Sequence, residues 1–176
     1  MLSYQHGYHA GNHADILKHL CWQAVINRLK QKNKPFILID THGGSGCYSL
    51  DSEQANKTGE YKDGVVKLDQ FSPQDPLLVD YLAALALYRN NNEYPGSPVL
   101  AADLLRTNDA LHVMELHPGE FANLKGVLKR HKGQGQVHSH FRDGLEGLVA
   151  LSPPKPNRGA ALIDPIRETP FKRFFF

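Results

Sequence analysis

The sequence predicts an α/β fold built on a parallel sheet, and three observations carry that prediction. Four strand-like runs, the first of them apolar and β-rich, each lead into an acid. Segments with the apolar spacing of helices lie between them, which is the alternation of βα units. The first run, Phe36-Ile37-Leu38-Ile39-Asp40, passes straight into the glycine cluster Thr41-His42-Gly43-Gly44-Ser45-Gly46. Glycines at such a turn accept φ > 0 and leave no Cβ in the way of a ligand. A strand, an acid and a glycine turn together are how an α/β sheet brings backbone close to a nucleotide-like molecule.

The later runs repeat the pattern. Leu111-His112-Val113-Met114 ends at Glu115, residues 136–141 lead to Asp143-Gly144, and Gly159-Ala160-Ala161-Leu162-Ile163 ends at Asp164-Pro165. In a parallel sheet all strand C-termini open on one edge, where ligands bind. Asp40, Glu115, Asp143 and Asp164 are therefore expected to converge on one cleft. The competing explanation is that these acids cap the helices that follow the strands.

Length and composition set the class. A chain of 176 residues is long enough for one domain with a real core, and 41% hydrophobic with 22% charged content reads as globular. A formal net charge of +2 gives no global pull toward nucleic acid, so any basic surface must be local. No apolar run approaches the roughly 20 residues that span a bilayer, and no basic-then-apolar signal segment opens the chain. Cys21 and Cys47 are too few for a disulfide framework and fit the reduced cytoplasm.

Several helices are legible. Asn12 reads as an N-cap with Asp15 three residues on, and Ile16, Leu17, Leu20, Ala24, Val25 and Leu29 mark an apolar face to about Lys30. After the glycine turn, about residues 51–107 delay the second strand beyond ordinary βαβ spacing. This stretch is expected to be a helical insertion within a single domain. It holds a helix opened by Pro76, faced by Leu77, Leu78, Tyr81, Leu82, Leu85 and Tyr88, and ended by Asn90-Asn91-Asn92. Ser97 is expected to cap the next helix with Pro98 at its first position. A further helix is predicted from Pro118 to His131, and a short one after Asp143.

Histidines and cations need weighing. His9 and His13 sit four apart, but Gly11 and Asn12 lie between them and no further ligand completes a tetrahedral set, so no metal is expected. Two basic clusters, Arg28, Lys30, Lys32 and Lys34, then Lys125, Lys129, Arg130, His131 and Lys132, lie at predicted helix C-termini. They either complement the helix dipoles or form a phosphate-contacting rim around the cleft.

Taken in order, Tyr4, His9-Ala10-Gly11-Asn12-His13-Ala14-Asp15, Lys18-His19, Asp40-Thr41-His42-Gly43-Gly44-Ser45-Gly46, Thr58-Gly59-Glu60-Tyr61, Tyr94-Pro95-Gly96-Ser97-Pro98, Glu115-Leu116-His117-Pro118 and Asp143-Gly144 resemble the RlmJ family. Those proteins are bacterial 23S rRNA adenine-N6 methyltransferases. The resemblance implies a Rossmann-like, S-adenosylmethionine-dependent methyltransferase fold with a helical insertion. It also implies that His19 and His42 line the methyl-donor site and that Ser97 adds a polar contact. Glu115 would take the ribose hydroxyls, and Asp143 and Gly144 would meet the donor adenine. Asp164 would be the catalytic acceptor, and Tyr4 would touch the RNA substrate.

The chain departs from the family at one place. The family pattern Asp-Pro-Pro-Tyr reads here Asp164-Pro165-Ile166-Arg167, followed by residues 168–176 ending in Phe174-Phe175-Phe176. The expectation is an incomplete methyltransferase domain, interrupted near residue 165, whose fourth strand has an open edge able to associate. A complete relative would be monomeric. Two rival functions follow: a fragment that binds donor or RNA without turnover, and a dinucleotide-dependent oxidoreductase. Gly44-Ser45-Gly46-Cys47-Tyr48-Ser49 speaks against the latter, because the last glycine of the dinucleotide pattern is missing.

Overall fold

A computed structural model of the chain describes residues 6–131 and 133–165. After a 3₁₀ turn at His6–Tyr8, helix α1 runs His13–Lys30 and leads into strand β1, Ile37–Asp40. Strand β2, Cys47–Ser49, is followed by two short helices, α2 (Glu53–Thr58) and α3 (Glu60–Asp63), a 3₁₀ segment at Val65–Gln70, and helix α4 (Pro76–Arg89). Then come β3 (Glu93–Pro95), α5 (Ser97–Leu104), β4 (Ala110–Glu115), α6 (Pro118–Arg130), β5 (Gln136–Phe141), α7 (Gly144–Ala150) and β6 (Gly159–Leu162).

The four strands expected from the strand-then-acid runs form one parallel sheet in the order β5-β4-β1-β6. Asp40 stands opposite Val113 on one side and Leu162 on the other, and Glu115 stands opposite Phe141. All four C-terminal ends therefore share one edge. Phe36, Leu38, Leu111 and Val113 pack from the sheet against Trp22 and Ile26 of α1, Ala101 and Ala102 of α5, and Leu124 of α6. On the opposite face, α7 sets Gly147 directly on the Met114 side chain.

A second sheet is not legible in the sequence. β2 and β3 pair antiparallel, with Tyr48 opposite Tyr94. Each is three residues long, too short for alternation to show. They stand on either side of α2, α3 and α4, and Tyr48, Leu50, Val65, Tyr81, Leu85, Tyr94 and Leu100 make a second core there.

The inward face of α1 differs from the expected one. Asp15, His19, Trp22, Gln23 and Ile26 are buried, whereas Leu17 is 64% exposed and Val25 43% exposed. The helix turns polar groups inward because each has a partner there: His19 bonds the Tyr94 hydroxyl at 2.9 Å and Gln23 bonds the Leu77 carbonyl at 3.3 Å. The N-terminal cap is as expected, since Asn12 accepts the Asp15 N–H at 2.9 Å. The Asp15 carboxylate, however, takes the N–H of Gly11 at 3.0 Å and not that of Asn12.

Candidate functional site

A cleft of about 540 Å³ opens at the C-terminal edge of the sheet, within the size range of small-molecule sites. One wall is the start of α1 with the residues before it, carrying His6, Asp15 and Lys18. The floor is the turn after β1, His42-Gly43-Gly44, beside Ser97 at the start of α5. The remaining walls are the β4–α6 turn, with Glu115 and Glu120, and the end of β6, with Asp164.

The floor is held by backbone bonds. Gly43 N–H donates to the Met114 carbonyl at 2.9 Å, and Gly44 N–H donates to Glu115 Oε2 at 2.8 Å. Gly44 has φ +57°, and a Cβ there would collide with the Tyr48 hydroxyl, so the position requires glycine. Glu115 Oε1 accepts the His117 N–H at 2.7 Å, which fixes both carboxylate oxygens while leaving each a further lone pair. Thr41 Oγ1 donates to the Leu162 carbonyl at 3.1 Å and accepts from His42 Nδ1 at 2.7 Å. Neutral His42 thus carries its proton on Nδ1 and offers Nε2 as an acceptor.

Asp40 lies beneath this floor. It is 1% exposed, accepts the Ser97 hydroxyl at 2.7 Å and the His42 N–H at 3.2 Å. Burial pushes its carboxyl pKa up, against the pull of those two bonds.

A chain of charges fixes the opposite wall. Lys18 Nζ sits 2.7 Å from Asp15 Oδ1 and 3.0 Å from Asp164 Oδ2, and Asp15 Oδ2 meets His6 Nε2 at 2.9 Å. Burial works against the Asp15 anion, but the His6 hydrogen bond and the His6 and Lys18 charges outweigh it and hold the carboxyl well below the usual range. Burial likewise opposes the Lys18 cation, and the two carboxylates outweigh that and push its pKa up. Asp164 itself is 53% exposed at its side chain, so lone pairs stay open to the cleft.

Of the residues singled out in the sequence, His42, Ser97, Glu115 and Asp164 line this cleft. His19 does not; it lies one layer behind, fully buried and stacked on Tyr94 at 5.4 Å between ring centroids. Burial lowers its pKa to about 3, and its Nε2 is buried with no hydrogen-bond partner among the described residues. Ser97 is not the cap of α5: Gly96 takes that position and Ser97 is the first helical residue. Asp143 acts as the N-cap of α7, accepting the N–H groups of Leu145 and Glu146 at 2.9 Å each. Gly144 packs on the Thr41 carbonyl so closely that a Cβ would collide with it. Two of the four strand-end acids line the cleft; Asp40 is buried below it and Asp143 caps α7 through Oδ1. Tyr4, Ile166 and Arg167 lie outside the described residues.

Sequence reasoning does not single out three of the cleft residues as functional: Asp15, Lys18 and Glu120. The i, i+3 spacing of Asp15 and Lys18 on a helix is a usable signal. Glu120 sits in the first turn of α6 and bonds Ser45. Among the described residues neither basic cluster lines the cleft, because α1 and α6 both start at it and run away from it. Among the described residues no group of three or more His, Cys, Asp or Glu is placed to hold a metal ion, and His9 bonds Glu60 at 2.9 Å. Nor is any described helix long and apolar enough to cross a membrane.

A parallel sheet flanked by helices, with an acid-lined cleft across its strand ends, defines the class as a Rossmann-like α/β protein. Comparison with known proteins narrows this. Residues 33–173 match the family model described as ribosomal RNA large subunit methyltransferase D, RlmJ. The ribosomal RNA large subunit methyltransferase J of Escherichia coli is 42% identical over 171 residues, 94% of this chain and 59% of that protein. The protein of the same name from Haemophilus influenzae is 40% identical, with the same coverage of 94% and 59%. The crystal structure of protein LPL1258 from Legionella pneumophila aligns with a TM-score of 0.80 at 36% identity, over 91% of this chain and 59% of that one. The chain belongs to the RlmJ family of ribosomal RNA large subunit methyltransferases and has its Rossmann-like fold. It spans about 59% of the length of the curated relatives it matches.

Proposed function

We propose that this chain carries the donor cleft and acceptor carboxylate of an S-adenosylmethionine-dependent methyltransferase acting on the N6 amine of an adenine in 23S ribosomal RNA, in the cytoplasm. The observation that carries the reading is the pair of acids at two strand ends facing one cleft: Glu115 at the end of β4, Asp164 just past β6 and ion-paired to Lys18.

The residues fit the donor. Glu115 offers two anchored carboxylate oxygens to a ribose diol; Asp143 and Gly144, outside the cleft lining at the neighbouring β5–α7 turn, are proposed to meet the adenine, the α7 cap using Asp143 Oδ1 alone. His42 Nε2 and the Ser97 oxygen offer polar contacts at the floor. His19 is proposed to act from the layer behind the cleft, through its bond to the Tyr94 hydroxyl, and not by direct contact. S-adenosylmethionine, when bound, supplies an activated methyl group.

Asp164 supplies the acceptor chemistry. The lone pair of an adenine amine is delocalised into the ring. A carboxylate accepting one N–H, with a backbone carbonyl accepting the other, localises that pair and takes the proton as the methyl arrives. Lys18 keeps Asp164 in place for this, and alignment of the reacting groups supplies much of the rest. The base must leave its stack to enter, so single-stranded or loosely paired RNA suits the site. Tyr4 is proposed to touch that RNA.

The test is transfer of a labelled methyl group to a 23S rRNA transcript, with Asp164→Ala beside the unsubstituted chain. Removing the acceptor should lower transfer by about 10²-fold or more while leaving S-adenosylhomocysteine binding intact. Undiminished transfer would overturn the assignment. A second reading, donor binding without turnover, draws on Ile166-Arg167 standing where the family has Pro-Tyr; binding with no transfer by the unsubstituted chain would favour it.

A further inference from the structure

The edge of the sheet opposite the cleft is as cationic as the cleft is acidic. α1 runs from Asp15 and Lys18 at the cleft to Lys30, and α6 runs from Glu120 to Arg130. At 1.5 Å per residue their last turns lie roughly 15–22 Å from the cleft. Every strand of the sheet is entered there past a cation: β1 after Lys32 and Lys34, β4 after Arg106, β5 after Lys129, and β6 after Lys155 and Arg158. Neighbouring strands are about 4.8 Å apart, so the row extends over roughly 15 Å.

This row is built, not scattered. The Phe36 ring is fully buried beneath two guanidinium groups, Arg106 at 5.3 Å and Arg158 at 5.7 Å from its centroid. Arg106 donates to the carbonyls of Lys32 at 3.2 Å and Lys34 at 3.0 Å, and Arg158 donates to Lys34 at 2.6 Å and to Leu29. Two arginines thus hold the loop that presents two exposed lysines. Acids do not neutralise the row: Asp109 is buried and spent on Arg106, and Asp103 bonds Tyr88 and His131. Lys32, Lys34, Lys129 and Lys155 are exposed and have no ion-pair partner among the described residues.

We propose that this edge is a second RNA-contacting surface, which takes phosphates of the duplex flanking the target base while the cleft takes the base itself. Cations at four neighbouring loops match a repeating line of phosphates. An anionic membrane is the poorer partner, because the one aromatic in the patch is buried and cannot insert. The inference rests on the RNA-substrate reading above.

The experiment measures binding of an RNA hairpin, with a long duplex stem and an adenine in its loop, across a salt series. The protein is the full chain and its K32A/K34A/K155A variant. Each phosphate that the variant no longer neutralises should flatten the slope of log affinity against log salt by roughly 0.7–0.9. The triple variant should therefore bind at least 10-fold more weakly at low salt, with S-adenosylhomocysteine binding unchanged. An unchanged slope in a variant that still binds S-adenosylhomocysteine would overturn this surface and leave the proposed activity standing. Equal loss of binding to phosphatidylserine vesicles by the same variant, with RNA binding unaltered, would reassign the surface to a membrane and overturn it too. Failure of the unsubstituted chain to bind donor or transfer methyl, with a steep RNA salt slope intact, would count against the proposed activity instead.

Discussion

Lys18, in the second turn of α1, places its ammonium 3.0 Å from the carboxylate of Asp164, a residue 146 positions later in the chain. The contact ties the N-terminal helix to the end of β6 and fixes the one exposed strand-end acid at the mouth of the cleft. Asp15 holds Lys18 from the other side at 2.7 Å.

Replacing Lys18 with methionine should keep the side-chain stem and remove the charge. Asp15, 3% exposed, would keep His6 and the Gly11 N–H but lose its nearest cation. The cost should be about 2 kcal/mol, below that of a fully orphaned buried charge because two partners survive. Urea denaturation measures it; an unchanged midpoint would show that the pair contributes nothing to the fold.

Ser97 and Asp40 offer a second test. The Ser97 hydroxyl is one of two donors to a carboxylate that is 1% exposed. Ser97→Ala should destabilise the protein by about 2 kcal/mol, the range for a hydrogen bond to a buried charged group. It should also weaken S-adenosylhomocysteine binding, since the cleft floor loses both a polar atom and its support. A variant as stable as the parent would show that the Ser97–Asp40 bond adds nothing to the fold.

His19 predicts a pH dependence. Its pKa falls from the ordinary 6.5 to about 3 on folding because burial excludes the cation. Below pH 6.5 the unfolded chain binds a proton that the folded one refuses. Stability from this site is therefore complete above about pH 6.5 and is lost as pH falls toward 3, with a slope of up to about 1.4 kcal/mol per unit. His19→Gln should flatten the stability–pH curve by one proton over that window. Chemical denaturation at several pH values reads it, and parallel curves for the two proteins would contradict it.

Much of the fold is legible because its strands announce themselves. Four strand-like runs leading into acids become four parallel strands, with boundaries shifted by a residue or so. The three-residue strands Cys47–Ser49 and Glu93–Pro95 are not legible, since neither is long enough to alternate and each exists only through the other. The face of α1 escapes the sequence for a different reason. Counting apolar residues favours Leu17 and Val25, but burial follows Asp15, held by His6, Gly11 and Lys18, and His19 and Gln23, whose partners lie on distant elements.

The site divides along the same line. Strand ends and the glycine turn point to His42, Glu115 and Asp164, and all three line the cleft. The link between Lys18 and Asp164 is hidden, because it depends on how α1 lies against β6 and not on any spacing in the chain. Asp143 shows that one strand-end acid can read two ways: it caps α7 through Oδ1, the competing explanation given for such acids, while its proposed ligand role draws on the same position.

The proposed activity depends on the cleft at the strand ends holding the methyl donor. Calorimetric titration with S-adenosylhomocysteine, repeated with Glu115→Ala, decides that point. The unsubstituted chain should bind saturably and the variant at least 10-fold more weakly, because both ribose-facing oxygens are gone. Equal affinity of the two proteins would place the donor outside this cleft and refute the assignment.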